Sequence, residues 1–328
     1  MKKYFILILT IIPIIFLYKM IFFGEIVTTN DELERHPINQ WQLNYSENND
    51  DMSQWYPNLF SGMPSYGGYI FMNGDPTKTI RNLILFNPGM KVWFYLSLSV
   101  IGMFVLLRLI GVQYLSALFG SLISGLTPYS FGLINAGHLN KIFAMAYIPW
   151  VLAAIFYLMK KPTLKSILFL AIASAFHLWA NHPQIVYYTW MVIGFYWVWE
   201  IGYSLKDKAF SLKFHGKQLS GILGGLFLAL LMVSDPYLDI YKFQEHSNRG
   251  AKSILDQTGQ TESGTDWNYA TQWSFHPKET ISFIFPYHYG LQNFSTRDLK
   301  SAAYWGFMPF TQSTHYLVVP TAKNISRS

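Results

Sequence analysis

The sequence predicts an all-α polytopic membrane protein, with about seven transmembrane helices and a large first extracytoplasmic loop. Two observations lead to this class. Only 13% of the 328 residues are charged, whereas an ordinary soluble protein has about 25%. The hydrophobic residues, which make up 51% of the chain, are also gathered into blocks of about 20 residues, the length that a helix needs to cross a bilayer.

These apolar blocks define the predicted spans. They comprise residues 4–23, 91–111, 114–134, 142–159, 165–181, 184–203 and 218–234. The first block follows Lys2 and Lys3 as a signal peptide would, but it continues to Phe23 and has no small-residue cleavage site, so we predict an uncleaved span. The predicted domains are therefore a transmembrane bundle over 1–234, including the loop 24–90, and an extracytoplasmic segment over 235–328.

The basic residues predict the orientation, because cytoplasmic loops carry an excess of lysine and arginine. With the N-terminus in the cytoplasm, basic residues such as Arg108, Lys160 and Lys208 fall on the cytoplasmic side, and the acidic loop 24–90 falls outside. The net charge of +6 therefore reflects membrane orientation, and we predict the bilayer, but no nucleic acid, as a partner.

Several enzyme classes are excluded by the sequence. The chain has no cysteine, which removes disulfide scaffolds, thiol catalysis and cysteine-based zinc sites. It also lacks a phosphate-binding GxxxxGK[ST] loop, a GxGxxG turn, an HExxH helix and a GxSxG elbow. The candidate functional residues are instead polar side chains on the predicted outer face.

Acidic candidates lie in the first loop. Asp31, Glu32 and Glu34 follow the first span closely, where a carboxylate could act as general base or hold a divalent cation beside a lipid headgroup. Asp50 and Asp51 are a second pair that could bind a metal ion or a sugar. In both cases a solvated acidic loop is the alternative that spacing alone favours.

Basic candidates lie in two short outer loops. His138 and Lys141 stand in NAGHLNKI, and a lysine on this side departs from the positive-inside trend. Either a lipid phosphate or a local carboxylate partner would explain it. His182 and Gln184 stand in the tight turn NHPQ, where a functional role and a hydrogen-bonded turn explain the histidine equally well.

Five segments of the chain resemble the YfhO-like membrane proteins of bacteria, which are grouped with the GT-C fold glycosyltransferases. They are WYPNLFSGMPSYGGY, NAGHLNKIFAMAYIPWVLAAIF, NHPQIVYY, WSFHPKE and YWGFMPFT. The resemblance extends from the first span to about Tyr316, and the shared order of the segments is more specific than any one of them.

The resemblance implies a bacterial inner-membrane enzyme that moves a sugar from a polyprenyl-phosphate donor to an envelope glycopolymer or glycolipid. In this family type an acidic residue of the first loop is catalytic, and Asp31 matches that position best, with Glu32 and Glu34 beside it. The donor phosphate would be stabilised by Lys141, His138 or a divalent cation.

Substrate binding is expected to involve further residues in the matching segments. His182 and Gln184 lie in NHPQIVYY, and Trp55 lies in WYPNLF, where it could stack on a sugar. The cation, if bound, would be held by Asp31, Asp50 or Asp51.

The chain also departs from this family, because its relatives continue with further spans after the YWG…PF segment. We therefore expect a truncated or frame-shifted product with an aberrant tail over 318–328.

Two other functions compete with glycosyl transfer: transport or flipping of a lipid-linked solute, and a non-catalytic role in envelope assembly. A transporter should show charged residues in mid-span and broken helices.

Overall fold

The computed structural model describes residues 2–25, 30–49, 53–57, 61–65, 84–85, 87–244 and 277–284. The chain divides into two compact units after Gln244. In the first unit, α1 (Lys2–Phe22) and α2 (Asn30–Asn49) are followed by a two-stranded antiparallel hairpin, β1 (Trp55–Tyr56) and β2 (Met63–Pro64). In the second unit, the described part is a short 3-10 helix, Pro277–Phe283, and the residue after it.

The remaining helices form the body of the first unit. They are α3 (Pro88–Leu109), α4 (Tyr114–Gly125), α5 (Pro128–Asn135), α6 (Leu139–Lys160), α7 (Leu164–Trp179), α8 (Pro183–Lys206), α9 (Leu212–Met232) and α10 (Ser234–Gln244). The helical, polytopic class that the sequence predicts is therefore observed in the described residues.

Five segments of the described chain are long and apolar enough to cross a membrane. They are Tyr4–Phe22, Pro88–Leu109, Tyr114–Ile134, Leu139–Lys160 and Leu212–Met232. Helix α7 is apolar but has only 16 residues, or about 24 Å at ~1.5 Å per residue. Helix α8 has 24 residues but is not among the five apolar segments. The predicted seven spans thus remain a prediction for these two helices.

Helix α6 is the centre of the bundle. It packs against α3 and α7 most extensively, and also against α8 and α9. Val151, Ala154 and Leu158 of α6 are completely buried in a core shared with α7, α8 and α9. Small side chains such as Ala144 and Ala153 are buried as well, and they let neighbouring helices approach closely.

Hydrogen bonds between helices hold the bundle in register. The indole of Trp150 in α6 donates to the carbonyl of Leu98 in α3, with an N–O distance of 2.9 Å. In the same way, Gln218 of α9 donates to Met159 at 2.8 Å. Where two apolar helices meet in a membrane, a hydrogen bond of this kind is worth about 1 kcal/mol, so each fixes register more than it adds stability.

Hydrogen bonds between helix ends show that the connections gather at two ends of the bundle. One end, which we name the basic end, comprises the connections 110–113, 161–163 and 207–211. The ammonium group of Lys160 lies there, 3.3 Å from the carbonyl oxygen of Leu109. At the opposite end, Asn87 donates to Ile21 and caps α3, and Tyr237 of α10 donates to Leu178 of α7.

Large apolar side chains cover much of the outside of the bundle. On α8, the exposed residues include Phe195, Val198 and Trp199, and on α1 they include Ile15 and Phe16. A soluble protein rarely exposes such continuous apolar surface. The outside of this bundle is therefore suited to a lipid bilayer.

Candidate functional site

A groove of about 480 Å³ opens between α5, α6 and α8 at the end of the bundle opposite the basic end. It is lined by Tyr129, Lys141, Met145, Ile148, Leu152, His182, Gln184, Ile185, Tyr188, Thr189 and Val192. The polar members lie near the first turns of α6 and α8, and the apolar members lie further along the same helices. The groove is thus polar at its mouth and apolar along its floor.

Helix α6 supplies one wall. The connection from α5 turns at Gly137, whose φ of 74° is readily adopted only by glycine among common residues. The helix then starts at Leu139, which places Lys141 in its first turn. Met145, Ile148 and Leu152 recur at helical spacing below it, so the wall runs about 16 Å from Lys141 to Leu152 at ~1.5 Å per residue.

Helix α8 supplies the facing wall. The turn before it contains Asn181 in the left-handed region, with φ of 54°, and Pro183 occupies the first helical position, which suits its fixed φ. This turn places His182 and Gln184 at the mouth of the groove. Gln184 donates a hydrogen bond of 2.9 Å to the hydroxyl of Tyr188, one turn further on.

The groove is electropositive. Lys141 is half-buried, and within the described residues it forms no ion pair; the ion pair found there joins Lys19 and Glu25 at 3.7 Å. No aspartate or glutamate is found among the lining residues that the structure describes. Burial lowers the pKa of His182, and the positive charges of Lys141 and His138 lower it further, against a backbone hydrogen bond that raises it. The mouth therefore has an unneutralised cation and a histidine that is neutral at neutral pH.

Three of the residues that the sequence singled out line this groove together: Lys141, His182 and Gln184. His138 lies just before α6 and is exposed; it is not part of the lining, but its charge acts on His182. Trp55 lies in β1, 51% exposed, with Gly62 close against its ring. The described contacts do not link Trp55 to the groove.

The acidic candidates are not tested by the structure. Asp31, Glu32 and Glu34 belong to the first turns of α2, but their side chains lie outside the described part. Asp50 and Asp51 lie outside the described residues altogether. In the part of the chain that the structure does describe, no three histidine, aspartate or glutamate side chains cluster as a metal site would need.

Sequence reasoning missed Tyr129, Thr189 and the apolar floor. Tyr129 follows Pro128 at the start of α5. The floor residues continue the helical spacing of Lys141 and Gln184, which is a signal that the sequence contains. That signal alone does not show that the two stripes face each other, because this depends on how α6 and α8 pack.

A second cavity, of about 460 Å³, lies on the other face of α6. Its walls come from α3, α6, α7 and the residues just before α3. The lining is Ile84, Leu85, Phe94, Leu98, Tyr147, Trp150, Phe169, Ile172, Ala173 and Phe176. None of these described lining residues is charged, so the cavity suits a hydrocarbon better than a headgroup.

Comparison with known proteins does not extend these assignments. No family model, no curated protein and no solved structure matches the chain. The resemblance to YfhO-like proteins therefore stays a prediction. The groove is the feature of the structure that bears on function.

Proposed function

We propose that this chain is a GT-C type membrane glycosyltransferase, which takes a sugar from a polyprenyl-phosphate donor and transfers it to an envelope glycopolymer or glycolipid outside the cytoplasm. The observation that carries the proposal is the groove, because it joins an apolar floor to a lysine that has no ion-pair partner among the described residues. An amphiphile with an anionic head and a hydrocarbon tail has these same two parts.

The mouth of the groove supports the anionic half of the ligand. A half-buried ammonium group with no carboxylate among the described residues around it is left to be neutralised by a ligand. Of the two explanations that the sequence left open for Lys141, the described contacts favour the phosphate. Gln184 and Tyr188 add neutral hydrogen-bonding groups suited to a phosphate or a sugar hydroxyl.

The floor of the groove supports the lipid half. Met145, Ile148 and Leu152 extend from Lys141 toward the middle of α6, and Val192 faces them from α8. A water-soluble sugar phosphate would leave this apolar surface uncovered. A lipid tail would bury it, with a gain of roughly 25 cal/mol for each Å² of apolar surface.

The proposed reaction combines Lys141 of the groove with Asp31 of the first loop. Departure of the polyprenyl phosphate leaves a negative charge, which Lys141 stabilises at the mouth of the groove. Asp31 accepts the proton of the attacking hydroxyl, and direct displacement inverts the anomeric carbon. We propose no reaction step that uses a divalent cation, because the described residues contain no group of ligands that would hold one.

The orientation completes the proposal. We place the basic end in the cytoplasm, following the positive-inside rule, so that the groove opens on the outer side of a bacterial inner membrane. Seven helices then cross the membrane, with α4 and α5 sharing one span. The loop 24–90 lies outside, where Asp31 can reach the donor.

The proposal is tested on membranes that contain the chain and a labelled polyprenyl-phosphate sugar. One assay measures binding of this donor, and a second measures transfer of its sugar. We expect Lys141→Gln to weaken donor binding by about tenfold or more, as loss of a charged hydrogen bond does. Asp31→Asn should lower transfer by roughly 10²-fold or more, as loss of a general base does. The matched controls Lys165→Gln and Asp207→Asn, which change the same residue types at the basic end, should have no effect.

Three results would contradict the proposal. Equal binding of the donor by the wild type and Lys141→Gln would remove the groove from the mechanism. Equal binding of the polyprenyl-phosphate sugar and of the same sugar phosphate without a prenyl chain would show that the ligand is not a lipid. Donor binding that depends on Lys141 without any transfer would indicate a non-catalytic role.

Transport of a lipid-linked solute is a second candidate, and the break between α4 and α5 favours it. Helix α4 ends at Gly125 and α5 begins at Pro128, so a segment long enough to cross the membrane is interrupted within its length. Broken helices that line a binding site are typical of transporters, and Tyr129 of α5 lines the groove. Movement of an intact labelled donor across reconstituted vesicles would favour this candidate.

A further inference from the structure

A buried histidine lies behind the groove. His177, in the last turn of α7, is completely buried, and neither of its ring nitrogens has a hydrogen-bond partner among the residues that the structure describes. Ser174, one turn earlier on the same helix, is also completely buried, and its hydroxyl has no partner in that same part of the chain. Buried polar atoms are nearly always hydrogen-bonded to protein or to ordered water, so an unsatisfied histidine and serine together require an explanation.

This histidine adjoins the groove residue His182. His177 lies in the last turn of α7 and His182 caps the start of α8, so a single short turn separates them, and the charge of His182 acts on His177. The Nδ1 atom of His182 is itself buried and unpartnered, while His182 lines the groove. Three unsatisfied polar side chains in one neighbourhood offer the two to four partners that an internal water needs.

We infer that His177 is a positioning residue for His182, acting through an ordered water that links the Nδ1 side of His182 to the interior and leaves Nε2 for the ligand in the groove. This inference rests on the proposed function, because it concerns how the same groove binds an anionic headgroup. His177 itself does not contact the ligand.

The water between His177 and His182 matters because a protonated histidine has two N–H donors, and both need acceptors. Burial lowers the pKa of His182 most, the charges of Lys141 from α6 and His138 from the turn before it lower it further, and a backbone hydrogen bond partly opposes them. His182 in turn acts on His177 of α7, and the described lining has no carboxylate. An anionic head raises the pKa of His182 because an opposite charge favours the protonated form.

Ligand affinity is expected to rise at lower pH. The ligand-bound state has the higher pKa, so binding takes up a proton, and affinity rises as the pH falls through the pKa of the bound state. The water beside His177 accepts the inner N–H of the protonated ring. Without that acceptor, protonation is disfavoured and the rise in affinity is lost.

The experiment measures binding of a short-chain prenyl phosphodiester of glucose to the full chain in lipid nanodiscs. A phosphodiester keeps one charge between about pH 5.5 and 8.5, the range in which histidines titrate, so any pH dependence comes from the protein. We expect the wild type to bind more tightly at the acidic end. His177→Leu should lose most of that increase, whereas His177→Gln, which can still hydrogen-bond to a water, should keep it.

The control is His215→Gln, a change to a buried histidine near the basic end that is hydrogen-bonded to Ser204 and Ser211; it should not alter the pH profile. A second readout is the ¹⁵N spectrum of histidine-labelled protein, in which the signal lost in His182→Gln identifies that ring. His177→Leu should change the tautomer signature of His182, and this measurement does not require ligand binding.

The outcomes separate the two proposals. If the wild type binds the probe through Lys141 but His177→Leu leaves both the pH profile and the His182 spectrum unchanged, the positioning role is wrong and the groove stands. If the probe does not bind, or binds independently of Lys141, the proposed function fails. In that case the His182 spectrum still decides whether His177 orients this ring.

Discussion

Trp150 shows how one side chain joins two helices in this bundle. Its indole nitrogen donates to the carbonyl of Leu98, and its ring lies so close to Gly102 that a Cβ atom there would be 2.5 Å from the nitrogen. The same tryptophan belongs to the wall of the apolar cavity. One residue thus contributes a hydrogen bond, a close packing contact and the shape of a cavity.

We expect Trp150→Phe to lower the free energy of unfolding by about 1 kcal/mol, because it removes the hydrogen bond to Leu98 and keeps the ring. The measurement is the thermal unfolding midpoint of the purified chain in detergent micelles. Trp199→Phe is the matched control, since Trp199 is 71% exposed on α8. Equal midpoints for the two variants would show that the bond adds nothing measurable.

The contact between α1 and α3 depends on a glycine. Gly89 lies in the first turn of α3, and a Cβ atom at this position would be 2.5 Å from the backbone of Met20 in α1. Backbone cannot move aside as a flexible side chain can. The two helices can therefore approach this closely only because position 89 has no side chain.

Gly89→Ala should destabilise the bundle by roughly 1–3 kcal/mol, the usual effect of overpacking. Gly194→Ala is the control, because Gly194 has open space around it and alanine favours the helix. Thermal unfolding in detergent again provides the measurement. The packing of α1 against α3 would be shown wrong by a Gly89→Ala variant as stable as the control.

At the scale of the whole molecule, the absence of cysteine allows the topology to be tested with single-cysteine variants and a membrane-impermeant maleimide on intact cells. We expect Asn48→Cys in α2 and Pro183→Cys at the start of α8 to react, and Lys208→Cys at the basic end to be protected. Reaction of Lys208→Cys with protection of Asn48→Cys would reverse the orientation. Protection of Pro183→Cys alone would show that α7 and α8 do not cross.

A small part of the candidate site could be predicted from the sequence, and the remainder depends on packing. Lys141 could be singled out because its charge conflicts with the composition of its loop, and His182 because it stands in a turn before proline. Tyr129 and the apolar floor could not be singled out, because the sequence pattern of an apolar residue on a helix is the same whether it faces a core, a groove or lipid. The sequence around His177 does not indicate that its ring nitrogens lack hydrogen-bond partners among the described residues.

By itself, the sequence determined the membrane class, the approximate helix positions and the uneven distribution of basic residues, because hydropathy and charge are properties of local composition. Only the tertiary structure decided that Lys141, His182 and Gln184 line one groove, that Trp55 has no described contact with it, and that α4 and α5 form a broken helix. These facts depend on how α6 packs between its neighbours, and residues far apart in the chain meet only through that packing.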